Sequence, residues 1–124
     1  MTSARIFCVD DDPVSLEFAR QSLQTDYTVG ICSAPSDALN QAVQFEPDLV
    51  LLDIMMPVVD GVDLLELLKT LDLTKNVPVV LLSAKADDAD LDRLLNLGAR
   101  GLIEKGVSAQ DLREQVAYAL ANPL

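Results

Sequence analysis

Short apolar runs alternate with segments of helical periodicity along the whole chain. The runs have the length of strands and lie at residues 5–9, 27–32, 49–52, 78–82 and 102–103. Two of them, 49–52 and 78–82, are unbroken, which is typical of strands covered on both faces of a parallel sheet. After each run, apolar residues recur at intervals of three and four, and this spacing predicts a helix.

The ends of the predicted helices carry local signals. Asp12 can cap a first helix that has Pro13 in its first turn and runs to about Thr25. Ser108, with Asp111 three residues later, resembles a capping box and predicts the start of the last helix. The second and third helices are predicted from about residue 35 to before 47 and over 61–71.

The fourth predicted helix is capped by Asp87 or Asp88 and ends at Gly98. Its buried side is expected to comprise three leucines: Leu91, Leu94 and Leu95. Five strands alternating with five helices predict an open α/β sheet with helices on both faces, because right-handed crossovers leave few other arrangements. The length of 124 residues fits one domain.

Charge and composition exclude several classes of function. Nine basic residues against 20 acidic ones give a net charge of −11, which argues against direct binding to nucleic acid or to an anionic membrane. The chain contains no His, so catalytic triads with His and His-ligated zinc or haem are excluded. No apolar run is long enough to cross a membrane.

The cysteines and the N-terminus indicate a reducing, cytoplasmic location. No CxxC spacing is present, and the first residues lack the apolar run of a signal peptide. Cys8 and Cys32 fall on strands predicted to be neighbours, so a disulfide between them is conceivable. Two buried thiols are favoured instead.

Polar side chains follow the predicted strands at the same end. Asp10 and Asp11 come after the first strand and Asp53 closes the third, while Ser83 and Lys105 follow the fourth and fifth. In an open parallel sheet the carboxyl ends of the strands line one crevice. These five residues are therefore expected to converge on one site.

Such a group of side chains suits phosphoryl transfer. Three carboxylates in one crevice repel each other unless a cation shares the site, and oxygen ligands favour Mg²⁺. A lysine and a hydroxyl group opposite them fit an incoming anion. An Asp can act as the nucleophile and form an acyl phosphate, with the metal and the lysine supplying electrostatic stabilisation.

The chain resembles the receiver domain of two-component response regulators over essentially its whole length. The segments that carry the resemblance are 6–12, 47–57 with Asp60-Gly61, 79–84, and Gly98-Ala99 through to Lys105. The resemblance implies a three-layer, flavodoxin-like α/β fold, with five parallel strands in the order 2-1-3-4-5 and five helices on both faces. Residues 1–124 would form a single receiver domain, either a whole protein or the N-terminal part of a longer one.

The resemblance also implies site roles. Asp53 would be the phosphoacceptor, taking phosphate from a phosphohistidine on a sensor histidine kinase or a histidine phosphotransfer protein. Asp10 and Asp11 would hold Mg²⁺, together with Asp53 and the backbone carbonyl of Met55. The domain would not be an enzyme in the usual sense, since it would catalyse only its own phosphorylation and dephosphorylation.

Signalling would follow from movements around the phosphorylated aspartate. Ser83 would bond a phosphoryl oxygen and Lys105 would pair with the phosphate, with Ser83 and Leu102 acting as switch residues. The movement would alter a face formed by residues 91–95, the fifth strand and the last helix, and this face would bind a downstream output domain or protein.

Two positions depart from the receiver pattern. Leu102 stands where most receivers have Tyr or Phe, and Gly106 stands where a Pro usually follows a cis peptide bond. Gly can adopt unusual backbone angles, so the turn can survive without Pro. These departures leave open a degenerate receiver that binds a partner without phosphate. A small Mg²⁺-dependent phosphohydrolase fits less well, because such enzymes commonly have the Asp nucleophile after the first strand. A flavodoxin is rejected, because three carboxylates after the first strand would repel the FMN phosphate.

Overall fold

The alternation of strands and helices is present along the chain. The structure is a computed structural model that describes residues 3–54, 61–84 and 88–122. The strands are β1 (Arg5–Val9), β2 (Thr28–Cys32), β3 (Leu49–Asp53), β4 (Val79–Ser83) and β5 (Gly101–Glu104). The helices are α1 (Pro13–Leu23), α2 (Ala38–Phe45), α3 (Gly61–Thr70), α4 (Asp88–Asn96) and α5 (Ala109–Ala121).

The described residues form one five-stranded sheet whose strands are all parallel. The spatial order is β2-β1-β3-β4-β5, which confirms the predicted topology. In this register Val9 lies beside Leu52, and Leu52 lies beside Leu81. The strands consequently end at nearly the same level, and the segments that follow β1, β3, β4 and β5 share one edge.

Local signals account for the starts of the helices. The Asp12 side chain accepts a hydrogen bond from the backbone N–H of Val14, and that of Ser108 accepts one from Asp111 N–H, so both predicted caps are confirmed. The second predicted helix begins instead with a 3₁₀ turn, Pro35–Asp37, and becomes α-helical at Ala38. None of the described helices is both long and apolar enough to cross a membrane.

The sheet separates two apolar layers. On one side, strand residues such as Ile6 and Leu51 pack with α1 and α5, and we call this the α1/α5 layer. On the other, residues such as Val50 and Leu81 pack with α2, α3 and α4, which form the α2/α3/α4 layer. Both layers are needed because each face of a parallel sheet has to be covered.

Strand alternation separates the two cysteines. Cys8 lies in the α1/α5 layer and Cys32 in the α2/α3/α4 layer, so their side chains point to opposite faces and both thiols are free. A disulfide between them is excluded by this geometry. Burial, with a contribution from nearby Asp10, raises the pKa of the Cys8 thiol to about 12.

The predicted burial of one α4 leucine is wrong. Leu94 is buried at 3% exposure, whereas Leu95 is 41% exposed and Leu91 is half-buried. Successive helical residues are about 100° apart, and in α4 Leu94 faces the layer beneath while Leu95 lies at the edge of the buried side. One edge of α4 therefore presents an apolar side chain at the surface.

Candidate functional site

The site is assembled at the carboxyl edge of the sheet. Asp53 is the last residue of β3 and Ser83 the last of β4, while Asp10 and Lys105 directly follow β1 and β5. The backbone N–H of Lys105 donates to the carbonyl of Ser83 at 2.7 Å, which joins the last two of these segments. The structure thus brings the side chains of Asp10, Asp53 and Lys105 together and places Ser83 at the end of the adjacent strand.

Three carboxylates form the acidic part of the site. One oxygen each from Asp10, Asp11 and Asp53 lies within 4.8 Å of the others. Asp10 and Asp53 are each only 2% exposed, while Asp11 is half-buried at the mouth of the crevice. Two buried carboxylates at this separation are costly unless cations balance them.

Lys105 supplies one such cation. Its Nζ lies 2.9 Å from Asp10 Oδ2 and 3.2 Å from Asp53 Oδ2, so one ammonium bridges both buried carboxylates. Burial lowers the pKa of Lys105, but the two carboxylates outweigh it and the net shift is upward. The side chain is therefore held as a cation beside Asp53.

Asp10 retains an oxygen that no hydrogen bond satisfies. Its Oδ1 accepts a hydrogen bond from the backbone N–H of Asp12 at 2.9 Å. Its buried Oδ2 accepts none from the described residues, and its contact there is the ion pair with the Lys105 ammonium at 2.9 Å. Burial raises the pKa of Asp10 and the Asp53 carboxylate adds to this, whereas the Asp12 N–H and Lys105 act in the opposite direction.

These features fit a hard divalent cation. The donor set is carboxylate oxygen alone, one of its oxygens lacks a hydrogen bond, and Asp11 is only half-buried, which leaves the cluster partly open to water. Mg²⁺ is bound by few carboxylates and retains several waters, as such a partly open site allows. The predicted fourth protein ligand, the carbonyl of Met55, lies outside the described residues.

Asp12 has a second role beyond the predicted cap of α1. Its side chain caps the helix as predicted, and its backbone N–H also donates to Asp10 Oδ1. This hydrogen bond orients the buried carboxylate. The signal for it in the sequence is Asp10 itself, because an Asp side chain commonly accepts a hydrogen bond from the backbone N–H two residues later.

The two departures from the receiver pattern have clear structural settings. Leu102 is half-buried, packs against the α2/α3/α4 layer and lies beside Leu81 of β4. Gly106 has a φ of 98°, a left-handed angle that Gly adopts without strain. The described residues contain no cis peptide bond, so the turn after Lys105 is made by this glycine.

Comparison with known families agrees with this geometry. A family model described as the response regulator receiver domain matches residues 6–117. The chain belongs to this family. Receiver domains are phosphoacceptor switch domains of two-component signalling.

The chain matches parts of longer proteins of different kinds. The chain is 34% identical to the DNA-binding response regulator MtrA of Mycolicibacterium smegmatis, over 94% of this chain and 50% of that protein. It is 33% identical to the sensor histidine kinase TmoS of Ectopseudomonas mendocina, over 94% of this chain but 12% of that protein. The chain thus spans half or less of these relatives' lengths.

Solved receivers share the fold. A CheY-like response regulator receiver domain protein from Methanospirillum hungatei superposes with a TM-score of 0.88 at 28% identity, covering 98% of this chain and 97% of the other. A response regulator from Chloroflexus aurantiacus, described as putative, gives a TM-score of 0.89 at 27% identity, covering 98% of this chain and all of that one.

Proposed function

We propose that this receiver takes a phosphoryl group from a phosphohistidine of a partner protein onto Asp53, in a reaction that requires Mg²⁺. One observation carries the proposal: the Lys105 ammonium bridges buried Asp53 and Asp10, with Asp11 beside them. A buried carboxylate with a fixed cation beside it is equipped to receive an anionic group.

Asp53 is the nucleophile in this transfer. A carboxylate oxygen of Asp53 forms the new P–O bond while the P–N bond to the partner's imidazole breaks, and the imidazole nitrogen keeps the bonding electrons. Asp10 and Asp11, with Asp53 and the Met55 carbonyl, would hold Mg²⁺. When bound, the ion neutralises charge on the transferring phosphoryl oxygens.

Lys105 and Ser83 stabilise the product. Lys105 pairs with a phosphoryl oxygen, and the hydroxyl of Ser83 donates a hydrogen bond to another. Because Lys105 N–H is hydrogen-bonded to the Ser83 carbonyl, a movement at either segment is passed to the other. Leu102, which lies beside Leu81 in the middle of β4, is the second proposed switch residue.

The proposed output surface comprises residues 91–95, β5 and α5. Leu95 and Tyr118 are exposed there, and the guanidinium of Arg100 lies 5.6 Å from the centre of the Tyr118 ring. These groups offer a downstream output domain or protein both apolar and charged contacts. The net charge of −11 argues against direct nucleic-acid binding by these residues.

A groove beside Lys105 provides a place for the phosphodonor protein. It has a volume of about 350 Å³ and lies between α1 and the segment after β5. Exposed Val14 and partly exposed Phe18 line it together with Val107. A sensor histidine kinase or a histidine phosphotransfer protein seated here would lie next to Lys105.

The second candidate function is a degenerate receiver that binds its partner without phosphate. The observations that favour it are Leu102 in place of an aromatic residue and Gly106 in place of Pro. Leu102 belongs to β5, which is part of the proposed output surface, and Gly106 directly follows Lys105. Neither contributes a side chain to the carboxylate cluster.

Intact-mass measurement with phosphoramidate as phosphodonor separates the two functions. We expect one added phosphoryl group in the presence of Mg²⁺, and none in Asp53→Asn or after chelation. Asp11→Ala should also lose the adduct. An unmodified wild-type mass at saturating phosphodonor and Mg²⁺ would favour the degenerate receiver, and normal labelling of Asp11→Ala would refute its role in metal binding.

A further inference from the structure

Strand β2 leaves one side of the sheet open. It is the terminal strand in the order β2-β1-β3-β4-β5, and within the described residues it pairs with β1 alone. An edge strand presents main-chain groups that can pair with another extended chain. The β2 edge lies apart from the groove beside Lys105 and from the proposed output surface.

The hydrogen bonds at both ends of β2 show which groups point outward. Thr28 N–H donates to the carbonyl of Ala4 at 2.9 Å, and the carbonyl of Cys32 accepts from Asp10 N–H at 3.2 Å. Alternate residues of a strand direct their main-chain groups to the same side. The main-chain N–H and C=O groups of residues 28, 30 and 32 face β1. Those of Val29 and Ile31 therefore face away from the sheet.

An open groove lies next to this edge, between α2 and the sheet. It has a volume of about 560 Å³ and is lined by Ile31 of β2, Phe7 of β1, and Phe45 and Asp37 of the α2 region. Gly30 lies under the Phe45 ring, where an added Cβ would come within 2.6 Å of Phe45 Cε1. Ile31 is 42% exposed and provides an apolar contact at the edge.

The negative charge around the β2 edge favours a basic partner segment. From residue 21 to residue 68 the sequence contains no Lys or Arg. Exposed acidic side chains flank β2 and both ends of α2, at Asp26, Asp37 and Glu46. Arg5 also lines the groove, but its Nε donates to the Phe45 carbonyl and its guanidinium lies 4.2 Å from the centre of that ring.

We propose that the outer edge of β2 docks an extended, basic segment of a partner protein, which adds a sixth strand to the sheet. Main-chain pairing with Val29 and Ile31 gives affinity, and lysine or arginine side chains opposite Asp26 and Asp37 give specificity. A second copy of this chain is disfavoured, because pairing β2 with β2 would bring the two acidic edges together.

The test uses a short acetylated peptide that alternates lysine and valine, with amide NMR as the readout. We expect shifts in β2 and α2 and slowed hydrogen exchange at the Val29 and Ile31 amides. A peptide of glutamate and valine should bind at least about tenfold more weakly, as should the lysine peptide methylated on alternate backbone nitrogens. The methylated peptide leaves the protein unchanged, so its result does not depend on the folding of a variant.

Ile31→Pro tests the same pairing from the protein side. Pro removes the outward N–H of residue 31, which an edge strand tolerates, and should weaken binding about tenfold. Ile31→Val is the matched control that keeps the main-chain donor and should bind as the wild type does. The proposal would be overturned if the methylated peptide bound as well as the unmethylated one, or if no peptide bound at all. It would also be overturned by shifts confined to other surfaces, or by a dimer of this chain that Ile31→Pro dissociates.

Discussion

Lys105 is predicted to stabilise the fold by bridging two buried carboxylates. Replacing it by Met keeps the length of the side chain and removes the charge. Without a metal ion, Asp10 and Asp53 then face each other at 2% exposure with the bridging ammonium gone. The variant should be less stable, because the ionised carboxylates lose the cation that offsets their desolvation and repulsion.

The size of the effect follows from burial. Removing one partner of a fully buried ion pair costs about 3–5 kcal/mol, whereas an exposed pair contributes about 0–1 kcal/mol. The carboxylates here are fully buried, but the Lys105 side chain is 26% exposed and so partly screened by solvent. We expect Lys105→Met to lower the free energy of unfolding by about 2–3 kcal/mol in metal-free solution.

Urea unfolding with a chelator at neutral pH measures this loss, and repetition with saturating Mg²⁺ measures its recovery. The urea midpoint of Lys105→Met should be lower than that of the wild type, with no change in the denaturant slope m. Mg²⁺ should restore most of the lost stability, because it balances the same carboxylates. Lys75→Met is the control, since the Lys75–Asp72 pair of 3.0 Å is largely exposed and its loss should cost under about 0.5 kcal/mol.

Two results would refute this reasoning. If Lys105→Met lowers the free energy of unfolding by no more than Lys75→Met does, the Lys105 ammonium does not offset the repulsion between Asp10 and Asp53. If Mg²⁺ stabilises the wild type but restores none of the stability lost in the variant, the ion does not share these carboxylates.

Three further predictions concern pH, thiol reactivity and packing. Because burial raises the folded-state pKa of Asp10 above its ordinary value of 3.8, its contribution to stability is complete below that value and is lost as pH rises through the folded-state pKa. Asp10→Asn should therefore gain stability relative to metal-free wild type as pH rises above about 4 in urea titrations, and a falling difference would contradict this. Cys8 and Cys32 should resist Ellman's reagent until denaturant is added, since burial raises the pKa of both thiols; rapid labelling of the native protein would be inconsistent with their placement. Leu65→Ala should lower the free energy of unfolding by about 2–5 kcal/mol, because Leu65 is fully buried, and Leu95→Ala should lower it by under about 0.5 kcal/mol. Similar losses of stability in the two variants would argue against the exposure of Leu95.

Most of the fold could be predicted because it depends on local patterns. Unbroken apolar runs indicate strands buried on both faces, and Asp12 and Ser108 mark helix starts through their own hydrogen bonds. The strand order required the family resemblance. The burial of α4 was mispredicted because three leucines in close succession leave the direction of the helix face ambiguous, and only packing against the sheet decided between Leu94 and Leu95.

The sequence by itself determined the composition of the site. The position of each polar residue at a strand end, together with parallel topology, brings Asp10, Asp53 and Lys105 to one edge. The tertiary structure decided how the charges interact. That the Lys105 ammonium bridges two carboxylates, and that one Asp10 oxygen lacks a hydrogen bond, depends on distances of about 3 Å between segments far apart in the chain. Electrostatic energies vary steeply with such distances and with burial, and neither quantity is encoded in any local stretch of residues.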